Sequence, residues 1–206
     1  MGSKVYPIGQ SINSKKFRKK NSNIQPIKNL LHIGRFDPSK NIKEIVYEVK
    51  KLRSNFPDLN LEVIGSPSGD RFKDYELNVK AKFNSEVQLG WLKFTPHIPR
   101  SSLPEILQTY DCFIHSFQGS LDKTIVEATF SGLPVLTINN EYRKIFGSWS
   151  LIDTDTNNSL KDEAQLLLKL DGDKRQSEVD RRYEVAIEQH ELTGWIDRLV
   201  SILKSR

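Results

Sequence analysis

The sequence predicts an α/β fold: a doubly wound parallel sheet with helices on both faces. Three observations predict it. From residue 28 onward, short apolar runs alternate with amphipathic stretches. The runs are apolar at consecutive positions, as in strands buried on both faces. Two of them end in glycine shortly before a helical stretch begins, the punctuation of βαβ units. In such sheets ligands bind beyond the carboxyl ends of the strands, where loops meet helix N-termini.

The elements follow in order. "KNLLHIG" (28–34) reads as the first strand. "NIKEIVYEVKKLRSNF" (41–56) places Ile42, Ile45, Val46, Val49 and Leu52 at helical spacing. "LNLEVIG" (59–65) is the second strand, "DYELNVKAKF" (74–83) a helix, and "EVQLGW" (86–91) the third strand. "SLPEILQTY" (102–110) is a short helix with proline in its first turn. "CFIHSF" (112–117) is the fourth strand, 122–131 a helix, and "LPVLTIN" (133–139) the fifth strand. A polar loop then leads to helices at 159–170, 174–189 and 191–204.

With 206 residues, 37% hydrophobic and 28% charged, the chain suffices for one large domain with a real core. No apolar run approaches the ~20 residues that cross a bilayer, and the first residues lack a signal-peptide core. The single cysteine, Cys112, excludes an internal disulfide and fits a reducing, cytoplasmic setting. In its apolar run it reads as a small buried hydrophobe. The net charge of +5 is uneven: residues 1–30 hold seven Lys/Arg and no acid, leaving 24 basic against 26 acidic residues elsewhere. Residues 1–27 therefore read as a basic linker or N-terminal arm, mostly solvated. The arm lacks the interleaved aromatics of a single-strand binder, so no nucleic-acid partner is expected. A peripheral contact with anionic lipid stays open.

Two loops could hold an anion. In "HIGRFDPSKNI", Gly34 and Arg35 end the first strand and Lys40 opens the next helix, beside unpaired backbone N–H groups. Two cations there suit a diphosphate. The plainer alternative is a turn with two solvated cations and Asp37 as a cap. In "GSLDKTIVEATFSGLPV", Gly119 and Ser120 let the backbone approach a ligand, and a helix starts near Asp122. Lys123, Glu127 and Ser131 share a helical stripe. The plainer alternative is a surface Lys123–Glu127 pair. The functional alternative is a glutamate accepting two vicinal ribose hydroxyls. Together the loops describe a nucleoside-diphosphate site.

These residues carry a resemblance. "GRFDPSKNI" resembles the Gly-Arg-Leu…Lys-Gly signature of the retaining group 1 glycosyltransferases of GT-B fold. "VQLGW" with "LPEILQTYDCFIHSF" resembles their Val-x-Phe-x-Gly strand, short helix and following strand. "IVEATFSGLPVL" resembles "LEAMACGLPVI", and "VYPIGQSINSKKF" (5–17) the segment that opens their second domain. The tail "YEVAIEQHELTGWIDRLVSIL" resembles their closing helices. The resemblance implies one Rossmann-like half of a GT-B fold, the nucleotide-sugar-binding domain, at 28–206, with closing helices about 174–205. The family's N-terminal acceptor domain would be absent.

By position, the resemblance implies that Arg35 and Lys40 hold the donor diphosphate beside Gly34. It implies that Ser120 and Leu121 present backbone N–H groups, that Glu127 binds the ribose, and that Gly90–Leu92, with Trp91, lies near the base, uracil or guanine. Gly119 stands where many relatives carry a sugar-contacting glutamate, and Asp122 or Lys123 would be its substitute. No cofactor or metal is expected, and no HxH, CxxC or DxD run suggests one. The implied activity is transfer of a sugar from a nucleoside-diphosphate donor to an acceptor hydroxyl on a glycan or lipid-linked oligosaccharide. The main catalytic groups would lie in the missing domain or a partner subunit, leaving this chain alone inactive. The alternative is a free-standing nucleotide-sugar binder or a non-catalytic subunit that completes a partner's site. An epimerase of similar fold lacks the motif match. His32, His97, His115 and His190 read as structural, and Trp149 and Trp195 as packing residues.

Overall fold

The structure, a computed structural model, describes residues 9–20, 24–150 and 159–204. Among these, β1 (Asn29–Ile33), β2 (Asn60–Ile64), β3 (Leu92–Thr95), β4 (Cys112–His115) and β5 (Val135–Thr137) form one parallel sheet. Its order is β3-β2-β1-β4-β5, so successive strands build outward in both directions from β1 and leave a switch point between β1 and β4. The helices are α1 (Ile42–Leu52), α2 (Lys73–Lys82), α3 (Asn84–Gln88), α4 (Leu103–Gln108), α5 (Lys123–Phe130), α6 (Asn140–Phe146), α7 (Leu160–Lys169), α8 (Gly172–His190) and α9 (Leu192–Lys204). None is long and apolar enough to cross a membrane.

The core has two halves, one on each face of the sheet. On one face the α1 stripe Ile42, Ile45, Val46, Val49 and Leu52 packs with Val79 of α2 and Leu160, Ala164 and Leu167 of α7 over Leu30, Leu61 and Cys112. On the other, α4, α5, α6 and Ala186 of α8 cover Leu31, Ile64, Phe113 and Val135. Cys112 is fully buried, and burial pushes its thiol well above the ordinary range. Trp149 is a packing residue: its indole N–H donates to Val135 O at 2.8 Å beneath the Arg182 guanidinium.

Three expectations need correction. The third strand is not 86–91. Residues 84–88 form α3, Gly90 at φ 79° ends it, and β3 starts at Leu92. The alternation Glu86-Val87-Gln88-Leu89 imitated a strand, yet Val87 and Leu89 are exposed while Glu86 is buried and paired with Lys50 at 2.6 Å. Second, the polar stretch after β5 contains α6, whose Tyr142 and Phe146, one turn apart, are fully buried. Third, the arm is docked on the domain where it is described, though Lys15, Lys16 and Arg18 remain exposed. Ile12 is buried, its N–H donates to His190 O, and Lys20 N–H donates to Ser131 O. The Lys19 and Lys20 ammonium groups pair with Asp180 and Asp111. Gly132 (φ 69°) permits that docking, because a Cβ there would lie 2.7 Å from Lys20 N. Residues 5–8 of the opening segment lie outside the described residues.

Candidate functional site

The carboxyl edge at the β1/β4 switch point gathers the polar residues. After β4 the chain runs through Phe117 to Asp122 before entering α5. Buried Asn139, just past β5, fixes this loop: its Nδ2 lies 3.0, 3.1 and 3.3 Å from the carbonyl oxygens of Phe117, Gly119 and Ser120. A trans peptide carries its C=O and N–H on opposite edges. Pinning the Gly119 and Ser120 oxygens therefore turns the Ser120 and Leu121 N–H groups away from Asn139. Neither N–H has a partner among the described residues. Two adjacent outward N–H groups make an anion-binding concavity.

Asp122 closes the loop. It caps α5, accepting from Thr124 N at 3.2 Å and Thr124 Oγ1 at 2.9 Å. Its other oxygen accepts from Lys40 Nζ at 2.6 Å and lies 3.3 Å from His115 Nε2. Burial opposes its ionisation, but hydrogen bonds from His115 and Lys40 outweigh that and hold the carboxyl far below the usual carboxylate range. Lys40 is buried and stands 3.9 Å over the Phe117 ring. It reaches this edge as half of an ion pair rather than as a free cation. Arg35 is exposed and makes no ion pair among the described residues. Beneath this edge, His32 Nδ1 donates to Ile114 O at 2.9 Å, leaving Nε2 an unpartnered acceptor. Burial pushes the His32 pKa down to about 4, so the ring is neutral at pH 7. A Cβ at residue 34 would sit 2.7 Å from that Nε2, which is why glycine ends β1.

Glu127 lies on the second turn of α5, 2% exposed. Its Oε1 accepts from the Arg100 guanidinium, and its Oε2 is buried without a partner among the described residues. Burial pushes its carboxyl up, against the pull of Arg100 and Lys123. The two side chains line a cavity of about 610 Å³ together with Lys123, Lys16, Phe17 and Pro104. On the other side of the loop a cavity of about 1100 Å³ is lined by Gly119, Ser120, Leu121, Gln10, Glu141 and His190.

The structure thus brings Gly34, Lys40, Gly119, Ser120, Leu121 and Asp122 to one edge, with Arg35 beside them and Lys123 and Glu127 on the adjoining helix. The Lys123–Glu127 surface pair does not form among the described residues; Arg100 takes its place. Trp91 does not join them. It sits at the amino end of the sheet, 6% exposed, where its carbonyl accepts from Leu61 N at 2.8 Å and Arg53 covers its ring. The reason is the register of β3: with the strand starting at Leu92, residues 90 and 91 fall at the edge opposite the site, and the 96–99 loop takes the expected place. Asp122 is unavailable as a sugar contact because Lys40, His115 and Thr124 occupy it. Phe117 fills the space of the absent glutamate: a Cβ on Gly119 would lie 2.2 Å from its Cζ. Sequence reasoning missed Arg100 and Asn139. A correct third strand would have put Arg100 in a βα loop at the site, and Asn139 directly follows the fifth strand.

Comparison with known proteins decides the family. A sequence profile described as "Glycosyl transferases group 1" matches residues 13–185. The chain belongs to the group 1 glycosyl transferases. A curated relative, "Putative glycosyltransferase YtcC" of Bacillus subtilis (strain 168), is 27% identical over 140 residues, 66% of this chain and 33% of its own. The chain therefore spans about a third of that relative's length. Among solved structures, Anabaena Alr3699/HepE in complex with UDP and glucose matches 97% of this chain and 56% of its own, with TM-score 0.74 and 15% identity. Sucrose-phosphate synthase (tll1590) from Thermosynechococcus elongatus matches 96% and 51%, with TM-score 0.75 and 15% identity. These likenesses show the fold, one Rossmann-like half of a GT-B fold.

Proposed function

We propose that this domain binds the nucleoside-diphosphate-sugar donor of a glycosyltransferase, which transfers the sugar to an acceptor hydroxyl. One observation carries the reading: the adjacent N–H groups of Ser120 and Leu121, without a partner among the described residues, belong to a loop that lines one cavity, and the helix it leads into lines a second with Glu127, whose Oε2 is buried without a partner among them. A donor of this class has the same order of parts, a nucleoside with vicinal hydroxyls, a diphosphate, and a sugar. The nucleoside enters the cavity at Glu127, the diphosphate rests on the loop, and the sugar extends toward Gly119 and Glu141. Arg35, the outward N–H groups and the start of α5 stabilise the charge that develops on the leaving diphosphate, and this electrostatic role requires no metal. The complex of HepE with UDP and glucose supports the ligand class.

Acceptor contacts and the remaining catalytic groups belong to a second domain or a partner subunit, so the 206-residue chain alone turns over little donor. Sustained transfer by it would contradict this. The test of the site is calorimetry with UDP, GDP and their sugars on the wild-type chain and Glu127→Ala. Binding that weakens in the variant supports the reading; unchanged binding overturns it.

A further inference from the structure

We propose that Arg100 is a positioning residue for nucleoside binding, keeping Glu127 an ionised hydrogen-bond acceptor inside the 610 Å³ cavity. The inference rests on the reading of that cavity as the nucleoside subsite. Glu127 is buried, yet only Oε1 is satisfied, and the one group that satisfies it comes from another element. Arg100 lies in the turn Arg100–Ser102 ahead of α4, and its side chain is 62% exposed. Among the described residues it has no partner other than Glu127. An exposed arginine that spends its single contact on a buried carboxylate does little for the surface. It supplies the countercharge that burial otherwise denies to Glu127. Oε2, buried and without a partner among the described residues, is the acceptor that a nucleoside hydroxyl would satisfy on entering.

Other charges around Glu127 do not replace it. Lys123 lies one turn earlier on α5 and acts at a distance without an ion pair. Asp122, the α5 cap, is an acid and disfavours the carboxylate, and Glu105, on α4, lines the same cavity and supplies no countercharge. Lys16, from the docked arm, lines the cavity but makes no contact with Glu127 among the described residues. Removing Arg100 therefore leaves a buried glutamic acid that takes up a proton at higher pH. A protonated carboxyl loses one acceptor site and the charge that strengthens hydrogen bonds from hydroxyls. Because Glu127 must be ionised to bind, affinity falls as pH falls, and the fall begins at a higher pH without Arg100.

The experiment is the pH dependence of UDP and GDP binding between pH 5.5 and 8.5, for wild type, Arg100→Ala, Arg100→Lys and Glu127→Gln. With Arg100→Ala the dissociation constant should rise about tenfold from pH 8 to pH 6, the worth of one charge-assisted hydrogen bond. That rise is measured over the shallow slope that wild type and Arg100→Lys should share, set by the terminal phosphate of UDP or GDP titrating at about pH 6, and Glu127→Gln should bind weakly at every pH. The rise should shrink with the 2′-deoxy diphosphate, which lacks one hydroxyl. A profile for Arg100→Ala that parallels wild type overturns the proposal. So does a uniform loss at all pH values, because it would mean that Arg100 touches the ligand itself. If Glu127→Gln binds as wild type does, the nucleoside reading itself fails, independently of Arg100.

Discussion

The two ends of the sheet treat their polar groups in opposite ways. At the amino end, Glu62 accepts from Thr95 at 2.6 Å, from Lys93, and from the Tyr110 hydroxyl. Asp111 accepts from the N–H groups of Lys28 and Asn29 at 3.1 and 2.9 Å. A cavity of about 380 Å³ lies there too, but the carboxylates beside it already have their partners. At the carboxyl end, among the described residues, His32 Nε2, Ser116 Oγ and Glu127 Oε2 are buried without a partner, and the more exposed Ser120 and Leu121 N–H groups make no hydrogen bond within the protein. A buried polar atom without a partner costs about 1–3 kcal/mol. On the proposed reading a ligand at this edge supplies the missing partners. A cavity alone does not mark the site; unsatisfied polar atoms around it do.

The sharpest way to break this comparison is to remove one carboxylate from each end. Glu127→Ala should lower nucleoside-diphosphate affinity about 10- to 100-fold, the loss of hydrogen bonds to a charged acceptor. Its thermal midpoint should not fall, because the side chain it removes is only half satisfied. Glu62→Ala should do the reverse: cost about 2 kcal/mol of stability by orphaning Thr95 and Tyr110, with binding unchanged. Calorimetry and thermal melts on both variants check the pair. Equal effects of both on binding would erase the distinction.

Asn139→Asp sharpens it further. A carboxylate cannot donate to the Gly119 and Ser120 carbonyls, so the loop loses its fixed orientation. Diphosphate affinity should fall about tenfold, measured with inorganic pyrophosphate as well as UDP. Asp122→Asn should cost about 1 kcal/mol of stability at pH 7. Asp122 has a folded pKa held below its unfolded value of about 4, so its contribution is present above that pH and fades as pH falls through the acid range. The stability difference between wild type and variant should therefore be smaller at pH 3 than at pH 7 and vanish only at still lower pH. The smallest effect belongs to Arg35→Ala. This exposed cation should contribute a few-fold to diphosphate affinity at low salt and nearly nothing at high salt.

Much of this was legible in the sequence, and the failures have physical causes. The strands at both ends of the switch point and the α5 stripe are strong periodic signals, so Gly34, Ser120, Leu121 and Glu127 could be placed before any coordinates. The third strand failed because Glu86-Val87-Gln88-Leu89 alternates by chance on an exposed helical turn, where period carries no burial information. That error moved Trp91 to the site and hid Arg100, which then lay nine residues past the apparent strand end. Asn139 was invisible for another reason: its function lies in three hydrogen bonds to a loop about twenty residues away. The arm misled because its lysines meet acids of the folded domain, Asp111 and Asp180, far along the chain.

The central claim is that the ligand rests on the loop after β4 at the carboxyl edge. The most direct test is titration of the isotope-labelled chain with UDP and GDP, following amide resonances by NMR. The account predicts saturable shifts at Ser120, Leu121 and Arg35, with the Trp91 indole and Tyr110 amide unmoved. Shifts centred on Trp91, Tyr110 and Gly90, with Ser120 and Leu121 unmoved, would contradict it.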